Sequence, residues 1–179
     1  MNLPENKLLK FNFTVNIMEN DKNKNRKLDR IDRNILFHLQ TNGRISYVEL
    51  ADKVGLSTSP CLERVKCLER DGFITGYLTQ LSAEKLDAGL LVFVEISLSY
   101  TSGNVFDEFR SAVKKWPQIQ ECHLVSGDFD YLLKIRIADM ASYRELLGEI
   151  VHALPGVRDS RTLVAMETVK ETCEIEIKV

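Results

Sequence analysis

Residues 44–72, RISYVELADKVGLSTSPCLERVKCLERDG, constrain the chain more than any other stretch. The spacing predicts two short helices joined by a tight turn. In the first, Val48, Ala51 and Val54 share a face with Leu50 on its flank, while Glu49, Asp52 and Lys53 point away. Gly55 stands where the helix must stop, since glycine alone takes a left-handed C′ position without a Cβ clash. Leu56 fills the corner, Ser57 is the expected N-cap of the next helix, and Pro60 falls in a first turn that tolerates it. An earlier helix is marked by Leu28, Ile31, Ile35, Leu36 and Leu39 and closed by Asn42-Gly43. Three helices in this order make a minimal helix-turn-helix domain, whose second paired helix is the one shaped for a DNA major groove.

On that helix Cys61, Val65 and Leu68 cluster inward, and Ser59, Glu63, Lys66, Cys67 and Arg70 lie opposite. Lys66 and Arg70 could reach phosphates or guanine edges, and Ser59 could donate to either. Glu63 could accept from cytosine or hold a neighbouring arginine. Arg64, on the flank, and Arg44, ahead of the motif, are candidate phosphate contacts. A charged helical face is also what any solvated surface presents, so the pattern alone leaves both readings open. Arg64 occupies a place where the short form of the motif has an apolar residue, which allows a one-position shift of the helix.

Charge separates the two halves. Residues 1–76 hold 13 Lys+Arg against 10 Asp+Glu, and residues 77–179 hold 11 against 16. A mildly basic front and an acidic back fit a DNA reader attached to a module of another kind. The small excess favours a dimer, which doubles the phosphate contacts. Four cysteines (Cys61, Cys67, Cys122, Cys173) form no C-x-x-C pair, and His38, His123 and His152 have no ligand spacing to them. No metal and no cofactor are expected, a reducing cytoplasm is the expected home, and no apolar run approaches a membrane span. No Ser-His-Asp set or phosphate-binding glycine loop appears, so an enzyme is not expected.

At the N-terminus, Leu9 to Ile17 alternate apolar and polar residues as an edge strand would; alternatively, Met18 is the natural start. Residues 20–27, NDKNKNRK, read as a basic arm that either touches the DNA backbone or is simply solvated. Residues 1–27 are thus an extension, 28–76 the helix-turn-helix domain, 77–89 a connector, 90–170 a second domain and 171–179 a strand or tail.

In the second half, FITGYLTQL at 73–81 is β-prone, and LLVFVEISLSY from Leu90 is a strong strand. Val105, Phe109, Ala112, Val113 and Trp116 define a helix, and two strands follow around Gly127-Asp128. A second helix, ASYRELLGEIVHAL, ends at Pro155-Gly156, and RTLVAMETV at 161–169 is the last strand, with EIEIKV a possible extra one. The order βαββαβ makes the chain α+β, with a ferredoxin-like sandwich behind a winged-helix-like domain. One sheet face is left over, and a second copy is the simplest cover. The turn SGDFDY at 126–131 could hold the ammonium of a small zwitterion between its carboxylates while backbone N–H groups take the carboxylate. The same residues also suit an ordinary hairpin turn.

LDRIDRNIL at 28–36, RIS, VEL and VGLS within 44–57, PCLERV at 60–65, LLVFVEI at 90–96 and QECHLVSGDFDYLLK at 120–134 resemble the Lrp/AsnC family over about residues 27–170. The resemblance implies an amino-acid-responsive activator or repressor of amino-acid metabolism genes, located on the nucleoid in the cytoplasm. It implies a homodimer formed through the second domain, assembling to octamers or hexadecamers around duplex DNA. DNA contact is then carried onto Tyr47 to Lys66, including Ser57 and Thr58. The effector, an amino acid such as leucine, is carried onto Gly127, Asp128, Phe129, Asp130 and Tyr131, with Leu124, Met140, Leu163, Val164 and Ala165. The leucine-responsive pattern has an aromatic at 163 and a larger aliphatic at 165, so this chain departs from it there. Two other readings stay open: an architectural DNA protein whose second domain only oligomerises, and an allosteric subunit of an amino-acid enzyme.

Overall fold

The computed structural model describes residues 26–99 and 104–178. The strand expected across 9–17 and most of the basic arm lie outside the described residues. The chain forms two compact units, one running through Leu78 and taking in the tail from Glu174, the other Thr79–Cys173.

The first unit holds α1 (Arg30–Thr41), α2 (Tyr47–Val54) and α3 (Thr58–Arg70). Asp29 caps α1, its carboxylate accepting from Asp32 N, and Ser46 caps α2 by accepting from Glu49 N. Gly55 takes φ 70°, ψ 37°, and its N–H bonds back to α2 carbonyls, so α2 stops and α3 leaves at a new angle. Ile35, Leu39, Leu50, Ala51, Val54, Cys61, Val65 and Leu68 form one core, closed by Leu28, Ile31, Leu36, Ile45, Leu56 and Ile74. Burying each of its larger aliphatic side chains is worth about 1.5–3 kcal/mol, which explains why three short helices hold together.

Three expectations change. Val48 is 69% exposed, and the inward face of α2 is Leu50, Ala51 and Val54. With only eight residues the helix has one inward stripe, and Leu50 takes the place the spacing gave to Val48. Ser57 has the extended backbone of an N-cap, but its hydroxyl makes no bond to the helix. Residues 73–81 form no strand, because β-prone residues need a neighbouring strand to accept their backbone hydrogen bonds. Tyr77 instead donates its hydroxyl to Glu69 on α3 at 2.8 Å.

The second unit follows the expected βαββαβ order: β1 (Leu90–Leu98), α4 (Val105–Val113), β2 (Ile119–Leu124), β3 (Tyr131–Ile137), α5 (Met140–Ala153) and β4 (Val157–Val164). The sheet runs β2-β3-β1-β4 with every pair antiparallel. Val92, Val94, Ile96 and Leu98 of β1 and Tyr131, Leu133 and Ile135 of β3 point to one face. There they meet Val105, Phe109 and Val113 of α4 and Tyr143, Leu146 and Ile150 of α5. Phe109 stacks on Tyr131 with centroids 4.5 Å apart. Asp139 caps α5 by accepting from Ser142 N.

The last strand is shifted from its expected place. It starts at Val157 and ends at Val164, because pairing to β1 sets its limits, from Leu98↔Val157 to Val92↔Val164. Arg158, Asp159 and Arg161 look like loop residues in sequence, but an edge strand accommodates charge on its exposed side. Residues 174–178 form no strand. Gln40 instead brackets Ile175, with Nε2 donating to its carbonyl at 3.0 Å and Oε1 accepting its N–H at 3.1 Å.

Candidate functional site

The outward surface of α3 is built by its own period. With Cys61, Val65 and Leu68 fully buried, Thr58, Ser59, Glu63, Lys66 and Arg70 are exposed, and Ser57 stands exposed at the helix entrance. The N-terminal turn is the polar Ser57-Thr58-Ser59, and its free backbone N–H groups carry the positive end of the helix dipole. Lys66 is 57% exposed and pairs with Glu63 at 3.0 Å, a surface contact that yields easily to a phosphate. Arg44 and Tyr47 are exposed at the preceding loop and the start of α2. Their places put the sequence-derived DNA candidates on one helix and its approach.

Arg64 stands apart. Its Nη1 donates to Asp29 Oδ2 at 2.7 Å and to Asp32 Oδ1 at 2.8 Å, both on the N-terminal side of α1. Those two hydrogen bonds lift the guanidinium above its ordinary range, Asp29 contributing most. Asp29 is held low, mainly by the Asp32 N–H it caps and then by Arg64. Sequence spacing could not show this, because 32 residues separate Arg64 from Asp32 and only the packing of α3 on α1 joins them.

In the second unit the candidates divide. Leu124 and the 127–130 turn lie beside Tyr131, where β1 ends at Ile96–Leu98. Leu163, Val164 and Ala165 lie at the other end of β1, Val164 facing Val92 and Ala165 N bonding to Leu91 O at 3.0 Å. Met140 follows β3 at that same end. Six residues of β3 span about 20 Å, so one chain does not bring the two groups together. Leu124 is on the edge strand β2 and Leu163 on the opposite edge strand β4, which separates them further.

The turn chemistry is also divided. Asp128 is exposed, whereas Asp130 Oδ2 accepts the Leu98 N–H at 2.7 Å and its own N–H bonds to Ile96 O. Asp130 thereby stitches the turn to the end of β1, beside the irregular register at Ser97/Leu98. Tyr131 turns inward, 2% exposed, and its hydroxyl is buried without a hydrogen-bond partner. Leu124, Met140, Leu163 and Val164 leave apolar surface open, each between 36% and 45% exposed.

The face of the sheet away from the helices carries charge. Glu121 accepts from Lys134, and Glu171 accepts from both Lys134 and Arg136, at 3.1, 2.9 and 2.6 Å. Hydrogen bonds from His123 and Lys134 hold Glu121 below its usual range, and those from Lys134 and Arg136 do the same for Glu171. Among the described residues no group of three His, Cys, Asp or Glu is placed to hold a metal ion.

A helix-turn-helix with an exposed recognition face, joined to a four-stranded α+β module, defines a two-domain DNA-binding regulator. Its first part matches a winged helix-turn-helix DNA-binding family over residues 28–75, and its second the Lrp/AsnC ligand binding domain over residues 91–175. The chain belongs to the Lrp/AsnC family of transcriptional regulators. It is 59% identical to the leucine-responsive regulatory protein of Klebsiella pneumoniae across 162 residues, 90% of this chain and 99% of that one. The protein of the same name from Escherichia coli K12 is 58% identical with the same coverage. Among solved structures, a transcriptional regulator of Neisseria meningitidis in complex with L-Met superposes with a TM-score of 0.80 at 34% identity, covering 84% of this chain and 97% of its own. An AsnC family regulator from Agrobacterium tumefaciens gives the same TM-score at 35% identity, covering 83% and 97%.

Proposed function

We propose that this amino-acid-responsive regulator lays α3 in the major groove of duplex DNA, with Ser57, Thr58, Ser59, Glu63, Lys66 and Arg70 facing the bases and phosphates. Arg44 and Tyr47 flank that contact. The carrying observation is the polar N-terminal turn and exposed outer side of α3, set opposite three fully buried residues. Replacing Lys66 and Arg70 together with alanine should weaken binding to a mixed-sequence duplex and reduce the salt dependence by about two counterions per bound protomer. Unchanged affinity and slope in anisotropy titrations would remove α3 as the reading helix.

The ligand of the second domain is a small apolar amino acid, leucine or methionine. Support comes from the leucine-responsive relatives and from the L-Met complex of a structural neighbour. Apolar surface at Leu124, Met140, Leu163 and Val164 suits an aliphatic side chain, and exposed Asp128 suits an ammonium. Because the two groups of candidates lie at opposite ends of the sheet, a complete site is best assembled from more than one copy. That supports a homodimer, and assemblies of eight or sixteen chains are what the resemblance to the family implies. The protein works in the cytoplasm on the nucleoid, controls amino-acid metabolism genes, and catalyses no reaction.

Thermal melts against the twenty amino acids test the ligand. A true ligand at a hundredfold excess over Kd stabilises by about 2.7 kcal/mol, a shift of several degrees. A shift confined to leucine or methionine would fit the proposal. No shift with any amino acid would favour a purely architectural role.

A further inference from the structure

Asp32 is the one buried charged residue among the described residues, 2% exposed, and both of its oxygens are taken by arginines. Arg64 of α3 donates to Oδ1 at 2.8 Å, and Arg26, just ahead of α1, donates to Oδ2 at 2.8 Å. Arg26 also reaches Asp71 Oδ2 at 3.1 Å, at the C-cap of α3, where Arg70 Nε meets Asp71 Oδ1 at 3.0 Å. At the other end Asp29 accepts from Arg64 through Oδ2 and from the α1 backbone through Oδ1. The sequence Asp29–Arg64–Asp32–Arg26–Asp71–Arg70 is thus a continuous alternation of charge. Each carboxylate has both oxygens bonded to a different donor.

Two properties follow from this geometry. Arg64 is already neutralised by the two carboxylates it bonds, whereas Arg70, 69% exposed at the far end, still presents its outer nitrogens to a phosphate. The network also grips α3 at two points, from the side at Arg64 and at its end through Asp71, and refers both to Asp32 on α1. A buried carboxylate between two guanidinium groups tolerates little displacement, because moving either arginine away leaves an uncompensated charge in a dry site.

We propose that Arg64 is a positioning residue for DNA recognition, fixing the angle of α3 through Asp32 and Asp29, and takes no phosphate itself. This rests on α3 being the reading helix, and the experiment separates the two claims. Electrostatics alone makes opposite demands on one substitution. Asp32→Asn removes a negative charge from the DNA-binding domain and should tighten binding if only charge matters. If Asp32 holds Arg64 and so aims the helix, the same change should weaken it.

The test uses the full chain and a labelled mixed-sequence duplex, with anisotropy titrations at several salt concentrations well below the melting temperature. Arg64→Ala and Asp32→Asn should each weaken binding about tenfold with the salt slope unchanged, while Lys66→Ala lowers the slope by about one counterion per protomer. The double variant Asp32→Asn/Arg64→Ala should bind no worse than Arg64→Ala alone, since both remove the same constraint. Should Asp32→Asn fail to fold, Asp29→Asn loosens Arg64 from a half-exposed partner and should weaken binding about threefold, again at constant slope. The proposal is overturned if Arg64→Ala lowers the slope as Lys66→Ala does, or if the Asn variants bind as tightly as the parent. A Lys66→Ala variant with unchanged affinity and slope would instead strike at α3 as the reading helix, leaving the Asp32 and Arg64 comparison legible.

Discussion

The two units present their candidate residues in different ways. On α3, Ser59, Glu63, Lys66 and Arg70 recur at helical spacing, so one helix gathers them without help from the rest of the fold. In the sheet unit, Leu124 and the 127–130 turn sit at one end of β1, and Leu163 to Ala165 at the other. A helix concentrates residues that are near in sequence, whereas an antiparallel sheet can place its loops and strand ends about 20 Å apart. The DNA candidates are therefore gathered locally, whereas the effector candidates stand at two ends of the sheet within one chain.

The comparison can be broken most forcefully at the cores, which are separate clusters of residues. Phe109→Ala removes the ring stacked on Tyr131 and should destabilise the sheet unit by about 3–5 kcal/mol. Urea unfolding read by near-ultraviolet circular dichroism, with DNA binding measured in parallel, would show the sheet unit failing first. Equal loss in both units would mean they unfold as one.

A smaller effect sharpens the contrast between turns. Gly55 and Gly156 both take left-handed backbone, at φ 70° and 74°. A Cβ at Gly55 would meet open space, while one at Gly156 would strike the Val105 side chain. Gly55→Ala should then cost about 1–2 kcal/mol of backbone strain alone. Gly156→Ala carries the same strain plus an overpacking penalty of about 1–3 kcal/mol. Thermal midpoints in the order parent, Gly55→Ala, Gly156→Ala are expected, and the reverse order would refute the steric argument.

Acid gives the smallest difference. Glu121 and Glu171 are held below the ordinary glutamate value of 4.5, and Asp29 and Asp71 below the aspartate value of 3.8. Folded-state values that are lowered stabilise above the unfolded value, and that contribution is lost as pH falls through the lowered one. The sheet unit should begin to lose stability from about pH 4.5 downward, before the helical unit does. The side chains of Glu121, Glu171 and Asp29 are 43–51% exposed, so the slope should be shallow. Glu171→Gln should flatten the acid limb of the melting curve, and a limb unaltered in that variant would remove Glu171 from the account.

Much of the fold was legible because local rules carried it. Gly55 at the turn and the inward stripes of α1, α3 and α4 need no distant partner to be read. Where distant partners decide, the sequence was misleading. The spacing points Val48 inward where Leu50 takes the contact, FITGYLTQL is β-prone but has no strand to pair with, and the charged edge of β4 resembles a loop, so the sequence predicts that strand later than it lies. The place of Arg64 on the helix predicts a DNA contact, and in the structure its guanidinium is bonded to Asp29 and Asp32.

The sequence by itself determined the helix-turn-helix, the βαββαβ order, the family and the outward face of α3, because periodicity and caps act within a few residues of the chain. Only the tertiary structure decided which cations face outward, what Asp130 is bonded to, and that the effector candidates stand apart. Those outcomes depend on groups brought together across tens of residues by packing, where burial and ion pairing outweigh the position a side chain holds along its own helix.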